Sequence, residues 1–354
     1  MRKNKFNFTV DPDFEFCAGM LPRVSRTFAP TIRMLPKRLY VPVTIAYLLC
    51  RIADTVEDEE SLTCEEKREY LLLFAEIFKE GGLESEQEFI KHVQKIPEHN
   101  ADIYLLKNLD KVYSVFKSFS AEVQQVIGTW VIEMTMGMIK YAQSNNRRKW
   151  QFLKSMKELD EYTYYVAGTI GHLLTALFAH FSKKITPAIV QRLENFSESF
   201  GKGLQLVNII RDMTKDSYRG QSYIPDEILQ KYRLTRHSIY KTDNSEQVEK
   251  LFNEMIQLAV DHLDKALAYV VTLPKEETRI RIFCLLPLFW AMQTLRVIQT
   301  NALGLLRTDS IKISRFVIRV EFFKALILTF SNRLTVRHYK KIRRELAIEQ
   351  LAIL

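Results

Sequence analysis

The residues with the clearest chemical purpose form two sets of carboxylates. In N-I-I-R-D-M-T-K-D, from Asn208 to Asp216, the acids Asp212 and Asp216 stand four residues apart with Arg211 beside them. Upstream, R-I-A-D-T-V-E-D repeats the spacing with Asp54 and Asp58, adds Glu57, and places Arg51 one turn ahead. On a helix, four residues bring two side chains onto one face, where like charges repel by roughly 0.2–0.5 kcal/mol. A cation bound between them removes that repulsion. Hard oxygen donors without a nearby Cys or His pair suit magnesium, which takes one or two carboxylates plus substrate phosphates and keeps several waters. Zinc does not fit the donor set. A single D-x-x-x-D reads as a solvated helix face; two copies, each with an arginine and apolar neighbours, point to a diphosphate site.

The elements that must position these groups read as helices. Over residues 43–58, Ile45, Ala46, Leu48, Leu49 and Ile52 mark a core face, while Arg51, Asp54 and Asp58 mark another stripe. Acid at the carboxyl end opposes the helix dipole, a misfit that a bound cation cancels. An irregular arm opens the chain ahead of Phe16, and Pro36 and Pro42 are expected to interrupt the region before this helix. Helical spacing continues over 65–78, 101–119, 122–141, 246–271 and 277–306, with a last basic helix from about 314 to 351. Gly81-Gly82, the polar and basic 143–149, and 217–225 read as breaks or loops, and no stretch alternates like a strand. Residues 163–182 carry no Asp, Glu, Lys or Arg and are long enough to span a bilayer. Two histidines and several hydroxyl side chains instead favour a buried central helix, in which Gly168 and Gly171 admit a close neighbour or a long ligand. The uncharged 282–295 is too short to span and contains Pro287.

At 354 residues, with no Pro-, Gly- or Ser-rich linker, the chain reads as one domain over 1–354. Only 11 Gly and 10 Pro, with 47% apolar residues, fit a water-soluble protein of long helices. Four scattered cysteines without a C-x-x-C pair predict neither a disulfide framework nor a zinc site, and a reducing cytoplasm follows. The amino terminus starts basic but runs into Asp11, Pro12, Asp13 and Glu15, unlike a signal peptide. A net charge of +9 is compatible with nucleic acid, anionic lipid or a polyanionic substrate, and composition does not choose among them. No G-x-G-x-x-G follows a strand, which excludes a Rossmann cofactor domain.

Several further motifs, in order, give the chain a family likeness. Val24-Ser25-Arg26-Thr27-Phe28-Ala29, the run from Tyr47 to Glu59, Y-T-Y-Y-V-A-G-T-I-G from Tyr162 to Gly171, and Gly203 to Asp216 together resemble the squalene and phytoene synthases, the head-to-head isoprenoid synthases, over residues 16–304. Phe283-Cys284-Leu285-Leu286-Pro287 looks more like the squalene branch. The resemblance implies an all-α isoprenoid synthase bundle with a central apolar cavity, a catalytic core over 16–304 and a basic helical extension over 305–354. It implies a magnesium-dependent prenyltransferase that joins two farnesyl diphosphates into presqualene diphosphate and reduces this with NADPH to squalene. Phytoene and dehydrosqualene synthases omit the reduction, and a presqualene diphosphate synthase stops halfway; a helical lipid- or nucleic-acid-binding protein is the alternative without catalysis. The expected partners are an allylic isoprenoid diphosphate and, peripherally, the cytoplasmic membrane face, with no nucleic acid and a monomeric state.

Roles carry over at the matching positions. Asp54, Glu57, Asp58, Asn208, Asp212 and Asp216 are expected to hold magnesium, and Arg51 and Arg211 to contact diphosphate oxygens. Ser25, Arg26 and Phe28 match a flap, Tyr162 matches the catalytic tyrosine, and Tyr47, Tyr165, Val166, Gly168, Gln205 and Asn208 match substrate-facing positions. Each has a plainer reading: Tyr162 as core packing, the arginines paired only with adjacent acids, Gln205 and Asn208 satisfying buried backbone. Two positions depart from the family pattern. Gln221 follows Gly220 where an arginine is usual, and Lys215 stands where an acid is common. One diphosphate contact usual to the family is thus missing, and Arg219, nearby in sequence, is the candidate to replace it, although a bidentate arginine is not freely moved. In the tail, the apolar run from Phe322 to Phe330 precedes a cluster of Arg and Lys, and fits either an interfacial helix or packing on the bundle.

Overall fold

The computed structural model describes residues 11–25, 27–79, 82–142, 151–218, 220–241, 245–306, 311–346 and 348. Arg26, Arg219 and the predicted loop 143–149 lie outside them. The fold is all-α, and the chain divides into two compact units. Residues 1–143 with 176–181 form the first, and 144–175 with 182–354 the second.

In the first unit, α1 (Pro12–Val24) and α2 (Phe28–Arg33) come first; most of the irregular arm expected ahead of Phe16 lies outside the described residues. Asp11 starts α1 by accepting from the amides of Asp13 and Phe14. Helix α3 (Lys37–Asp58) begins earlier than expected, because Pro36 serves as its N-cap and Pro42 is carried inside. Next come α4 (Cys64–Glu76), opened by a Thr63–Glu66 capping box, and α5 (Leu83–Val93), a helix that the spacing argument does not predict. The predicted 101–119 helix is broken at Asn108 into α6 (Ala101–Lys107) and α7 (Leu109–Lys117); the Asn108 side chain donates back to the Tyr104 carbonyl. The long α8 (Ala121–Ala142) packs on α3 and α4. Leu48, Leu49, Ile52 and Val56 of α3 are fully buried, so the apolar stripe read from the sequence is the core face.

In the second unit, α9 (Met156–Thr163) leads through a π-helical turn (Tyr164–Gly168) into α10 (Thr169–Phe181), whose last six residues belong to the first unit. The single buried helix expected over 163–182 is therefore two elements. Helix α11 (Pro187–Tyr218) carries the second acidic motif and packs along α13 (Ser245–Thr272), with the short α12 (Asp226–Lys231) between them in sequence. Close approach of α11 to the π turn needs glycine: a Cβ on Gly201 would lie 1.9 Å from the Ala167 carbonyl oxygen, and one on Gly171 1.8 Å from that of Ser197. The neighbour admitted at Gly171 is thus a helix backbone. Pro287 does not end α14 (Thr278–Thr300), and α15 (Ala302–Leu305) follows as a separate turn. The predicted basic helix is two, α16 (Arg315–Leu328) and α17 (Asn332–Arg344), divided where Ser331 caps the second.

Two residues on each side form parallel bridges, Gln151 with Gln221 and Phe152 with Ser222, too short to show alternation in sequence. Helices α3 and α14 are long and apolar enough to cross a membrane, but 72% and 78% of their apolar windows are buried, which accounts for their composition.

Candidate functional site

In the first unit the upstream motif occupies the last turns of α3. Arg51 bridges two acids, with Nη1 2.5 Å from Asp54 Oδ2 and Nε 2.9 Å from Asp102 Oδ1 on α6. Desolvation draws the guanidinium pKa down, but the charges of Asp54 and Asp102 outweigh it and hold Arg51 firmly protonated. The Asp54 carboxyl is pushed up to about 6, first by desolvation and then by Asp58, against the pull of Arg51. Its side chain still keeps 38% of its surface open, so a ligand can reach it. Asp58 is exposed. Glu57, by contrast, is only 5% exposed, and its Oε1 has no hydrogen-bond partner. Burial, followed by the charges of Asp58 and Asp54, drives its carboxyl well above the ordinary range. The nearby Lys67 ammonium, lowered by its own burial, donates 2.5 Å to the Glu57 carbonyl and so supplies a cation at the carboxyl end of α3.

Over this motif, the Ser25 hydroxyl accepts from the Phe28 amide at 3.1 Å and hydrogen-bonds Tyr47, while the Phe28 and Tyr47 rings lie 6.1 Å apart. Burial raises the Tyr47 phenol. Ser25, Phe28, Tyr47 and Arg51 therefore form one connected group.

In the second unit, Arg211 grips its neighbour Asp212 through two contacts, Nε–Oδ1 at 3.0 Å and Nη2–Oδ2 at 2.5 Å. Asp216 lies half-buried one turn later, and Lys215 is exposed. Asn208 donates to Gln205 Oε1 at 3.3 Å, one turn along the same helix. Tyr162 is buried at 4% exposure, with its ring stacked on Tyr223. Tyr223 arrives there because the loop after α11 is stitched to the start of α9: Asp226 and Glu227 amides donate to the carbonyls of Leu153 and Lys154, and Glu227 Oε2 accepts from the Met156 amide at 2.7 Å. Tyr165 and Val166 are half-buried in the π turn, and Gly168 is buried against Glu198 and Tyr164. Lys202, buried below the turn, is held by Asp160 at 2.7 Å and by Glu198. Gln221, at the departing position, is tied by its backbone to Gln151.

Among the described residues no three His, Cys, Asp or Glu side chains converge as a ready metal cage. The residues do fit the open type of magnesium site, in which one or two carboxylates complement substrate phosphates. The upstream motif carries an unpartnered carboxylate oxygen at Glu57 and mutually repelling acids, a charge excess that a divalent cation would relieve. Sequence spacing does not reveal Asp102, Lys67 or Tyr223, since each comes from a different element; only the Asn100 N-cap just before Asp102 hints at an organised helix start there.

The family model for squalene/phytoene synthase matches residues 21–317. The chain belongs to this family. Among curated proteins it is 29% identical over 293 residues to the squalene synthase of Gibberella zeae, covering 83% of this chain and 60% of that protein. It is 30% identical over 292 residues to the squalene synthase of Schizosaccharomyces pombe, covering 82% of this chain and 61% of the relative. The chain thus spans about three fifths of the length of these relatives. Among solved structures, the complex of TcSQS with the ligand E5700 superposes with a TM-score of 0.80 at 25% identity, covering 97% of this chain and 93% of the other. A dehydrosqualene synthase in complex with ligand gives 0.62 at 20% identity, over 88% and 95%, which supports the all-α fold alone.

Proposed function

We propose that the chain is a squalene synthase, joining two farnesyl diphosphates head to head into presqualene diphosphate and reducing this with NADPH to squalene. The observation that carries the reading is the matched pair of arginine–aspartate contacts, Arg51 with Asp54 and Arg211 with Asp212, each in an i, i+4 acidic motif. Squalene synthases are also the named relatives over most of the chain.

Ionising an allylic diphosphate separates a carbocation from a highly charged leaving group. Arg51 and Arg211 supply fixed positive charge for the diphosphate oxygens, each oriented beforehand by its aspartate. Asp54 with Asp58, and Asp212 with Asp216, would hold magnesium, which when bound supplies Lewis-acid stabilisation of the leaving group. Asn208, one turn before Asp212, would assist the second pair, and Glu57 the first. Phe28 and Tyr165 would each offer an aromatic face to a cationic substrate. When the cation bonds to the double bond of the second substrate and the cyclopropane closes, one proton leaves carbon. The Tyr162 hydroxyl can accept it and pass it to the released diphosphate, since a phenol both donates and accepts.

The test is incubation of purified protein with farnesyl or geranylgeranyl diphosphate and magnesium, with and without NADPH. Squalene from farnesyl diphosphate only when NADPH is present is the expected product. Phytoene, or no diphosphate release from either substrate, overturns the reading.

A further inference from the structure

We propose that α16 is a lipid-facing ridge that seats the protein on an anionic bilayer. The helix is turned opposite to an ordinary surface helix. Its buried positions are Glu321 and Ala325, while Phe316, Phe323 and Ile327 are 74%, 63% and 67% exposed. Spacings of seven and four residues put these three on one line along the helix, away from Glu321 and Ala325. Phe330, 63% exposed, and Leu334 at the start of α17 extend the apolar surface beyond the helix end.

The orientation is imposed by polar contacts beneath. Glu321 Oε1 accepts from Gln293 at 2.9 Å and from Lys324 at 3.0 Å, and Oε2 faces His338 Nε2 at 2.6 Å. Trp290 Nε1 donates to the Ile318 carbonyl at 3.4 Å. Rolling α16 to bury its phenylalanines would pull Glu321 out of all these contacts. The outward apolar line is therefore built into the packing of α14, α16 and α17.

Charge selects the occupant. Residues 311–346 hold ten Lys and Arg against two Glu. Of those acids Glu321 is 1% exposed and Glu345 pairs with Arg296 at 2.8 Å. Lys312, Arg315, Arg319, Arg333 and Arg337 are exposed around the ridge. A second copy docked across a two-fold axis would set these like charges against one another. An acidic phospholipid surface offers the complement, headgroup charge for the cations and an acyl layer for the phenylalanines. The inference needs no catalytic activity.

The experiment is vesicle flotation of the full chain with phosphatidylglycerol-containing or pure phosphatidylcholine liposomes, at low and high salt. The exposed triple variant F323S/I327S/F330S and the charge variant R315Q/R319Q/R333Q are run beside it, with helicity checked by circular dichroism. Expected is salt-sensitive flotation on anionic vesicles only, reduced about tenfold or more in each variant. If the apolar triple variant loses helicity, Phe323→Ser alone decides. No flotation of the parent, or flotation unchanged in the apolar variant, overturns the inference. So does a parent dimer that fails to float and becomes monomeric in that variant, because the ridge then serves a self-contact.

Discussion

The ring of Tyr162 lies nearly parallel to that of Tyr223, with centroids 4.8 Å apart and planes inclined by 19°. Stacking at this distance fixes the phenol through its face. Tyr162→Phe should therefore keep the fold and the substrate KM while lowering kcat by about 100-fold or more, the usual span for a lost proton-transfer group. Steady-state kinetics with farnesyl diphosphate check this; an unchanged kcat would return Tyr162 to packing alone. Tyr223→Ala, which removes the stacked face, should affect stability as well as rate.

The acidic motifs give a prediction in two parts. Asp54→Asn and Asp212→Asn should each cut turnover by about 100-fold or more, by removing an oriented ligand for the charged leaving group. Near-normal turnover at saturating substrate and magnesium in both would dissociate the motifs from catalysis.

The second part concerns pH without metal. The Asp54 carboxyl titrates near 6 in the folded chain against an ordinary value of 3.8. Because the folded value is the higher one, this group favours folding below pH 3.8, and the contribution is lost as pH rises through about 6. In metal-free buffer Asp54→Asn should therefore raise Tm above pH 7, by about 1–3 °C given the partial exposure of the group. The gain should shrink towards pH 5. Thermal melts of both proteins across pH test it, and a gain that grows on acidification would contradict the assignment.

Gly201 offers a packing test. An added Cβ would meet the Ala167 carbonyl, which is backbone and cannot swing aside. Gly201→Ala should cost about 1–3 kcal/mol, read as a lower urea midpoint. Gly19 lies on α1 where a Cβ would meet no atom within 4 Å, and it should accept alanine at little cost or with a small gain.

Arg281 ties three helices at their ends. Fully buried, it donates to the carbonyls of Val270, Leu273 and Thr329 and to Asn332 Oδ1, at 2.7–3.0 Å. Arg281→Met should leave those carbonyls unsatisfied and destabilise the chain by at least about 3 kcal/mol. Arg281→Lys should recover little, since an ammonium cannot reproduce the fork. Chemical denaturation of the two variants decides between this knot and simple filling of space.

What is legible in the sequence is local. The i, i+4 acids, the α3 core face and the all-helical class depend on spacing within one element, and the structure keeps them. Breaks and partners are less legible. Periodicity runs straight through Asn108, so only its side-chain bond to Tyr104 reveals the interruption. Pro42 and Pro287 look like helix breakers but are carried inside α3 and α14, whose burial outweighs a lost amide donor. Asp102 and Tyr223 reach Arg51 and Tyr162 only through tertiary folding. The apolar character of α16 is evident in its residues, but not the direction it faces, because that is set by Gln293 and His338 on other helices.

The π turn at Tyr164–Gly168 has a consequence for how this chain tolerates changes in length. A π turn holds one more residue than the α turn it interrupts. Deleting a single residue from Tyr164 to Gly168 would let the backbone heal into an unbroken α-helix, locally the easier conformation. Because the turn already absorbs the extra residue, the helices on either side keep their places when it is removed, with Tyr162 beside Tyr223 and Gly171 against Ser197. The same deletion in a flanking α-helical turn would instead rotate one side against the other by about 100°. Deletion scanning should therefore find Tyr164–Gly168 more tolerant of losing one residue than the helical turns before and after it.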